Sequence, residues 1–279
     1  MIVQAALDLR GHRLVFAEIA RLFAAHRYLI WEMAKRDLRD RFAGQFFGMI
    51  WAMGHPLFLM TLYVVVFAYI FPVRLGGDAT RPRDFTIHLL AGLIPWMTFQ
   101  EVLATGATVV RSNASLVKQI VFPVEVLPVK SVIASTASQL VATAFLIVYA
   151  SVKGSLGLTI LLWPTLFGSQ LLAMFGASYV LAAIGVFFKD VKDIVQIFCA
   201  ANLFLQPILY VPGQLPRVLE AVFYGNPFSY MAWCYQDVFY YGQLSHPWAW
   251  VVFVAGSVGL FYFGFWLFRK MKIGFGDVL

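Results

Sequence analysis

RDLRDRFAGQFFGMIWAMGHPLFLMTLYVVVFAYIF, Arg36 to Phe71, decides the fold of this chain, because a densely charged run leads into a stretch, Met49 to Phe71, that carries no formal charge. At about 1.5 Å per residue, that stretch is long enough to cross a hydrocarbon layer about 30 Å thick. Just before it, Trp31, Ala34, Leu38 and Phe42 recur at helical spacing, with Glu32, Lys35, Arg36, Asp37, Arg39, Asp40 and Arg41 over the other faces. Such a helix is predicted to lie along a membrane surface rather than across it. Glu32 with Arg36 and Asp37 with Arg41 stand in the favoured acid-first i,i+4 order. The charged faces read either as a solvated helix surface or as a docking surface for a partner.

Working outward, composition agrees. A chain that is 61% hydrophobic and 13% charged is an integral membrane protein, since soluble domains carry about 25% charged residues. The apolar runs are near helical-span length and lack period-two alternation, which excludes an outer-membrane barrel. The net charge of +7 follows loop position, so nucleic acid is not implied. Cys199 and Cys234 make no CxxC or zinc spacing. With Asp8, Glu18 and no continuous apolar core, the first residues do not read as a cleavable signal.

The fold class predicted is all-α and membrane-embedded, with six transmembrane helices. A segment 1–48, carrying the amphipathic helix, precedes a single domain 49–279. Spans are expected at about 49–71, 86–110, 126–150, 159–187, 194–211 and 248–268. The second, interrupted by Gly92, Pro95 and Glu101, is expected to be bent or broken. The third, rich in Ser, Thr and Ala, suits the inside of a bundle. Residues 212–247 are too polar and proline-broken for a crossing yet dense in aromatics, and read as one or two short helices dipping into the membrane or lying at its interface. Of the 21 Lys and Arg, sixteen fall on the side of both termini and five opposite. By the positive-inside rule both termini are cytoplasmic and 212–247 faces outward.

No GxxxxGK[ST], HExxH, GxSxG or paired-cysteine motif occurs, so the chain should carry no ATPase, metal or hydrolase chemistry of its own. Glu101 is the one carboxylate well inside an apolar span; it reads either as an acid hydrated or hydrogen-bonded near a helix break, or as a group lining a watery path. The aromatics of 223–241 exceed what a lipid anchor needs, and rings of this kind stack on sugars.

In order and spacing, RDLRDRF with FFGMIW and HP (36–56), LLAGLIPWMTF (89–99), SNASLVKQIVFPVEVLP (112–128), FFKDV (187–191), QPILYVPGQLP (206–216) and NPFSY (226–230) resemble the membrane subunits of type-2 ABC exporters of lipid-linked polysaccharide, above all the O-antigen exporter permease. The resemblance covers nearly the whole chain. It implies a homodimer with a channel between the copies, two cytoplasmic ABC ATPase subunits that bind ATP and Mg, no cofactor on this chain, a bacterial cytoplasmic-membrane location, and membrane lipids around it. Expected ATPase contacts are Glu32, Arg36, Arg39 and Arg41 on the surface helix and Lys118, Phe122 and Glu125 in the connector. Segment 213–241 resembles the family's pair of short gate helices. Channel or gate candidates are Trp96, Phe99, Phe223, Tyr224, Phe228 and Tyr230, together with Glu101, whose role comes from its place in the span. Rival readings are another cargo, such as a capsule or teichoic acid polymer, a lipid or a drug, and a glycan-processing enzyme. The enzyme would need clustered acid/base groups, and only Glu101, Asp237 and His246, widely spaced in sequence, offer themselves.

Overall fold

In a computed structural model, the chain is described over residues 9–70, 84–119, 123–210 and 217–278, with side chains described from residue 23 onward except at 119, 217–219 and 277. The polar turn expected around 72–83 falls outside these residues. Helix α1 (Leu9–Arg41) departs from helical geometry at His26, so its second half is aimed independently of the first. The first span is α2 (Trp51–Val64), entered through a tight turn at Gly48–Ile50 and prolonged to Ile70 by a wider π-turn. Pro56 lies inside it, past the first turn, and withholds the donor that the Ala52 carbonyl would otherwise have.

The second span, α3 (Phe85–Gly106), corrects an expectation, because it is one uninterrupted helix through Gly92, Pro95 and Glu101. Asp84 caps its start by accepting from the Thr86 amide at 2.9 Å, and Gln170, from a later helix, donates to the Pro95 carbonyl at 3.2 Å. The third and fourth spans, α4 (Val126–Val152) and α5 (Trp163–Phe187, preceded by a turn at Leu158–Leu162), fall where the sequence places them. The last span is α9 (Pro247–Lys272). Five helices are thus long and apolar enough to cross a membrane among the described residues.

The expected fifth span, 194–211, is not one helix. Helix α6 (Val191–Asn202) has 12 residues, about 18 Å of rise, and gives way to an irregular run to Tyr210. Broken backbone inside an apolar bundle must find new hydrogen-bond partners, and they come from the two short helices that follow, α7 (Arg217–Gly225) and α8 (Pro227–Gln236). Asn226, between them, donates to the Leu205 carbonyl at 2.8 Å and to the Asn202 side chain at 2.7 Å; Gln236 donates to the Pro207 carbonyl at 2.6 Å. Tyr179 meets Phe265 and Phe268, and Phe187 meets Phe275, so α5 and α9 run parallel and residues 188–246 bring the chain back between them.

Close backbone approach holds α5 to α9, where lipid offers no hydrophobic drive for helix association. A Cβ at Gly264 would strike the Gly176 carbonyl, and one at Gly176 would lie 2.5 Å from Leu260 backbone. At the same end of the bundle, Arg111 caps α5 by donating to the Val186 carbonyl at 2.7 Å, and Lys272 at the end of α9 grips Glu125 at 2.8 Å.

Candidate functional site

At the end of the bundle that carries the basic residues, α1 is fastened to α3 and α4. The face it buries is Ile30 and Ala34, continued by Asp37, Leu38 and Arg41; Trp31, which the apolar pattern places on that face, is 54% exposed. The seam runs one residue to the side because charged groups occupy its last turns. Arg41 ion-pairs with Glu101, and its second terminal nitrogen lies 3.4 Å from Asp37 and 3.2 Å from the Ser135 hydroxyl. Ser135 in turn donates to Glu101 at 2.8 Å, while Lys130 reaches Asp37 at 3.3 Å and Asn113 at 3.4 Å. Two cations and two carboxylates neutralise one another where three helices meet, which is what keeps charge tolerable at that depth.

This places the expected partner-contact residues. Glu32, Arg36, Arg39 and Lys118 are exposed. The charges of Arg41 and Glu125 are engaged inside the chain, by Glu101 and Asp37 and by Lys272. Phe122 lies outside the described residues. Asp37–Arg41 forms as read, whereas Glu32 pairs with Lys35 at 3.0 Å and Arg36 lies 3.5 Å from Asp40. Glu101 is ion-paired and hydrogen-bonded within an unbroken helix, and it also borders a cavity of about 120 Å³ walled by His55, Thr98 and Gln139.

Towards the other end, α8 lies against α3. Phe228 packs edge-on against Trp96 and Phe99, each 5.1 Å away, and against Phe198 of α6 at 5.9 Å. Trp96 and Phe99 are 0% and 2% exposed and form the floor beneath Phe228. Phe223 is likewise buried, 5.5 Å from Tyr210. Tyr224 is 63% exposed, and half-buried Tyr230 donates to its carbonyl at 2.7 Å. Of the aromatic candidates, Tyr224 is the one presented to the surroundings.

Two polar locks escaped the sequence reading. Gln139 and Gln170 exchange amide hydrogen bonds at 2.7 Å and 3.1 Å, and the Tyr235 hydroxyl donates to Gln170, joining α4, α5 and α8. Asn202 with Asn226 is the second. Amides within apolar runs were the available signal. Asp237 and His246, nine residues apart, meet: Asp237 is fully buried and accepts from His246 Nδ1 at 2.9 Å, the His246 amide at 3.1 Å and Trp250 Nε1 at 3.0 Å. That saturated carboxylate holds the loop into α9, and Glu101 sits at the other end of the bundle. Among the described residues, no group of three or more His, Cys, Asp or Glu could hold a metal ion.

A multi-pass helical bundle with a charged helix bolted beneath it and a short-helix pair inserted against its second span defines a membrane transport subunit. The family described as ABC-2 type transporter matches residues 28–240, and the chain belongs to that family. It is a transporter membrane subunit and not an enzyme. It is similar to O-antigen export system permease proteins RfbA from Klebsiella pneumoniae (24% identity over 249 residues, 88% of this chain and 93% of the relative) and Myxococcus xanthus (25% over 257 residues, 90% and 95%).

Proposed function

We propose that this chain is the membrane-spanning subunit of an ABC exporter moving lipid-linked polysaccharide of the O-antigen kind across the bacterial cytoplasmic membrane. Two copies pair, each crossing six times with the fifth crossing broken, and two copies of a separate cytoplasmic ATPase bind ATP and Mg and supply the force. Both termini face the cytoplasm, and α7 and α8 form the outward gate. The observation that carries this reading is the two-sidedness of α1. Glu32, Arg36 and Arg39 face outward, while Asp37 and Arg41 on the inner face are ion-paired to α3 and α4. A displacement imposed on the outer face reaches the second span through Arg41 and Glu101. The bundle then alternates between closed and open arrangements of the dimer. The first span, 11% buried, and exposed Ile194 and Ile197 on α6 offer apolar surface to a second copy and to lipid.

The test is purification of the chain alone and with a candidate phosphate-loop ATPase from the neighbouring reading frame. ATP turnover stimulated by lipid-linked glycan in the complex alone supports export. Failure to co-purify, or glycan chemistry by the lone chain, overturns it.

A further inference from the structure

We propose that Gln139, Gln170 and Tyr235 are positioning residues for transport: they form a latch that holds α8 against the spanning helices, and this latch opens when the outward gate moves. This rests on the reading of α7 and α8 as that gate. The pair is tied into one body with the end of α6, because Asn226 donates to the Leu205 carbonyl and to the Asn202 side chain, and Gln236 donates to the Pro207 carbonyl. Beyond α8 the body is pinned by Asp237, whose carboxylate accepts from His246 and Trp250. Between these points α8 lies close on α3 at Gly92, where an added Cβ would come 2.9 Å from the Ile208 side chain and 3.6 Å from the Ala232 Cβ. Small residues allow such an approach but raise no ridge that fixes how far one helix has slid along the other. Directional hydrogen bonds supply that register.

Gln170 is the node. Its Nε2 donates to the Gln139 amide oxygen at 3.1 Å and to the Pro95 carbonyl at 3.2 Å, and its Oε1 accepts from Gln139 Nε2 at 2.7 Å and from the Tyr235 hydroxyl. Both amide hydrogens and both lone pairs of Gln170 are thereby used. The side chains of Gln139, Gln170 and Tyr235 are fully buried, so α3, α4, α5 and α8 meet at one amide shielded from water. In such surroundings a hydrogen bond is strong and its loss is felt, and α8 cannot slide along α3 without breaking the Tyr235 contact. The driving motion has a route to the same place. Glu101, ion-paired to Arg41, and Pro95 lie on one continuous helix, about 9 Å apart along its axis. A shift of α3 imposed at Glu101 therefore moves the Pro95 carbonyl against Gln170 and alters its hold on Tyr235.

The experiment uses the full-length protein in lipid nanodiscs, with and without the candidate ATPase, and compares Tyr235→Phe with Tyr179→Phe. Both remove a buried tyrosine hydroxyl and keep the ring, and Tyr179 donates to the Glu125 carbonyl at 3.0 Å, away from the latch. Without ATPase, amide hydrogen exchange across 227–236 should be about three- to fivefold faster in Tyr235→Phe and unchanged in Tyr179→Phe. In the complex, a latch that opens more readily should lower the lipid-linked glycan concentration for half-maximal ATP turnover by about the same factor, with the maximal rate kept. A residue that served packing alone would lower the melting midpoint in both variants alike and leave that concentration unmoved. Gln139→Met, which breaks the amide pair, should shift both readings the same way and decides the matter where Tyr235→Phe does not fold. Exchange across 227–236, or the half-stimulating concentration, left unchanged by both Tyr235→Phe and Gln139→Met overturns the latch and leaves the export reading. No glycan stimulation of the unaltered complex defeats the export reading, and exchange alone then decides the latch.

Discussion

Removing both partners of the Arg41–Glu101 pair should harm the protein less than the two single removals added together. Arg41→Gln leaves Glu101 with Ser135 as its remaining partner and the cluster one charge negative, because Lys130 still balances Asp37. Glu101→Gln leaves the cluster one charge positive. The double variant restores neutrality, with Asp37 and Lys130 at 3.3 Å still paired. A fully buried pair that loses one member costs about 3–5 kcal/mol; with side chains 25% and 36% exposed, solvent screening reduces this to about 1–2 kcal/mol. Each single variant should therefore lower the unfolding midpoint of the purified chain by about 3–6 °C. The double variant should lie above the sum of the two by a coupling of about 1 kcal/mol. The same cycle read as glycan-stimulated ATP turnover in the complex should show the singles losing stimulation while basal turnover persists. Arg36→Gln, from an exposed pair with side chains 83% and 67% accessible, is the control for the melting measurement alone and should leave the midpoint unchanged. Additive effects at positions 41 and 101, within about 0.3 kcal/mol, would refute the idea that this pair transmits force from α1 to the bundle.

Reversing Arg36 and Arg39 to Glu should abolish co-purification with the ATPase while leaving the chain inserted and its thermal midpoint unchanged; retained co-purification would remove them from the contact surface. Asn226→Ala should cost about 1–3 kcal/mol by stranding the Leu205 carbonyl and the Asn202 side chain, and Asn226→Asp, which keeps the cap on the Phe228 amide at 3.0 Å but loses both donors, should be nearly as damaging in the same melting assay. Gly264→Ala should reduce folded yield by about 1–3 kcal/mol of overpacking against Gly176, whereas Gly168→Ala, with open space around it, should be silent by size-exclusion profile and melting. Tyr224→Ala should lower glycan export more than basal ATP turnover, and equal losses would assign it to packing.

Hydropathy and charge by themselves determined that the chain is a multi-pass helical membrane protein, with four of the expected spans found as unbroken helices where they were placed, and that a charged helix precedes them. Those properties are written in runs of like residues, and each run of that length has one physical solution in lipid. A periodic pattern also located a buried face on α1, but it misassigned Trp31 and missed Asp37 and Arg41, because the energy of a buried charge depends on a partner distant in the chain. Glu101, 60 residues from Arg41, supplies that partner, and local sequence carries no trace of the pairing. The continuity of α3 through Pro95 and the break after Asn202 were likewise decided in three dimensions. Both are settled by contacts with residues distant in the chain: Gln170 ties the Pro95 turn to the fourth span, and Asn226 supplies a donor to the Leu205 carbonyl in the irregular run. The latch at Gln170 belongs to the same class, since Gln139 and Tyr235 reach it only once α4 and α8 have packed against α5.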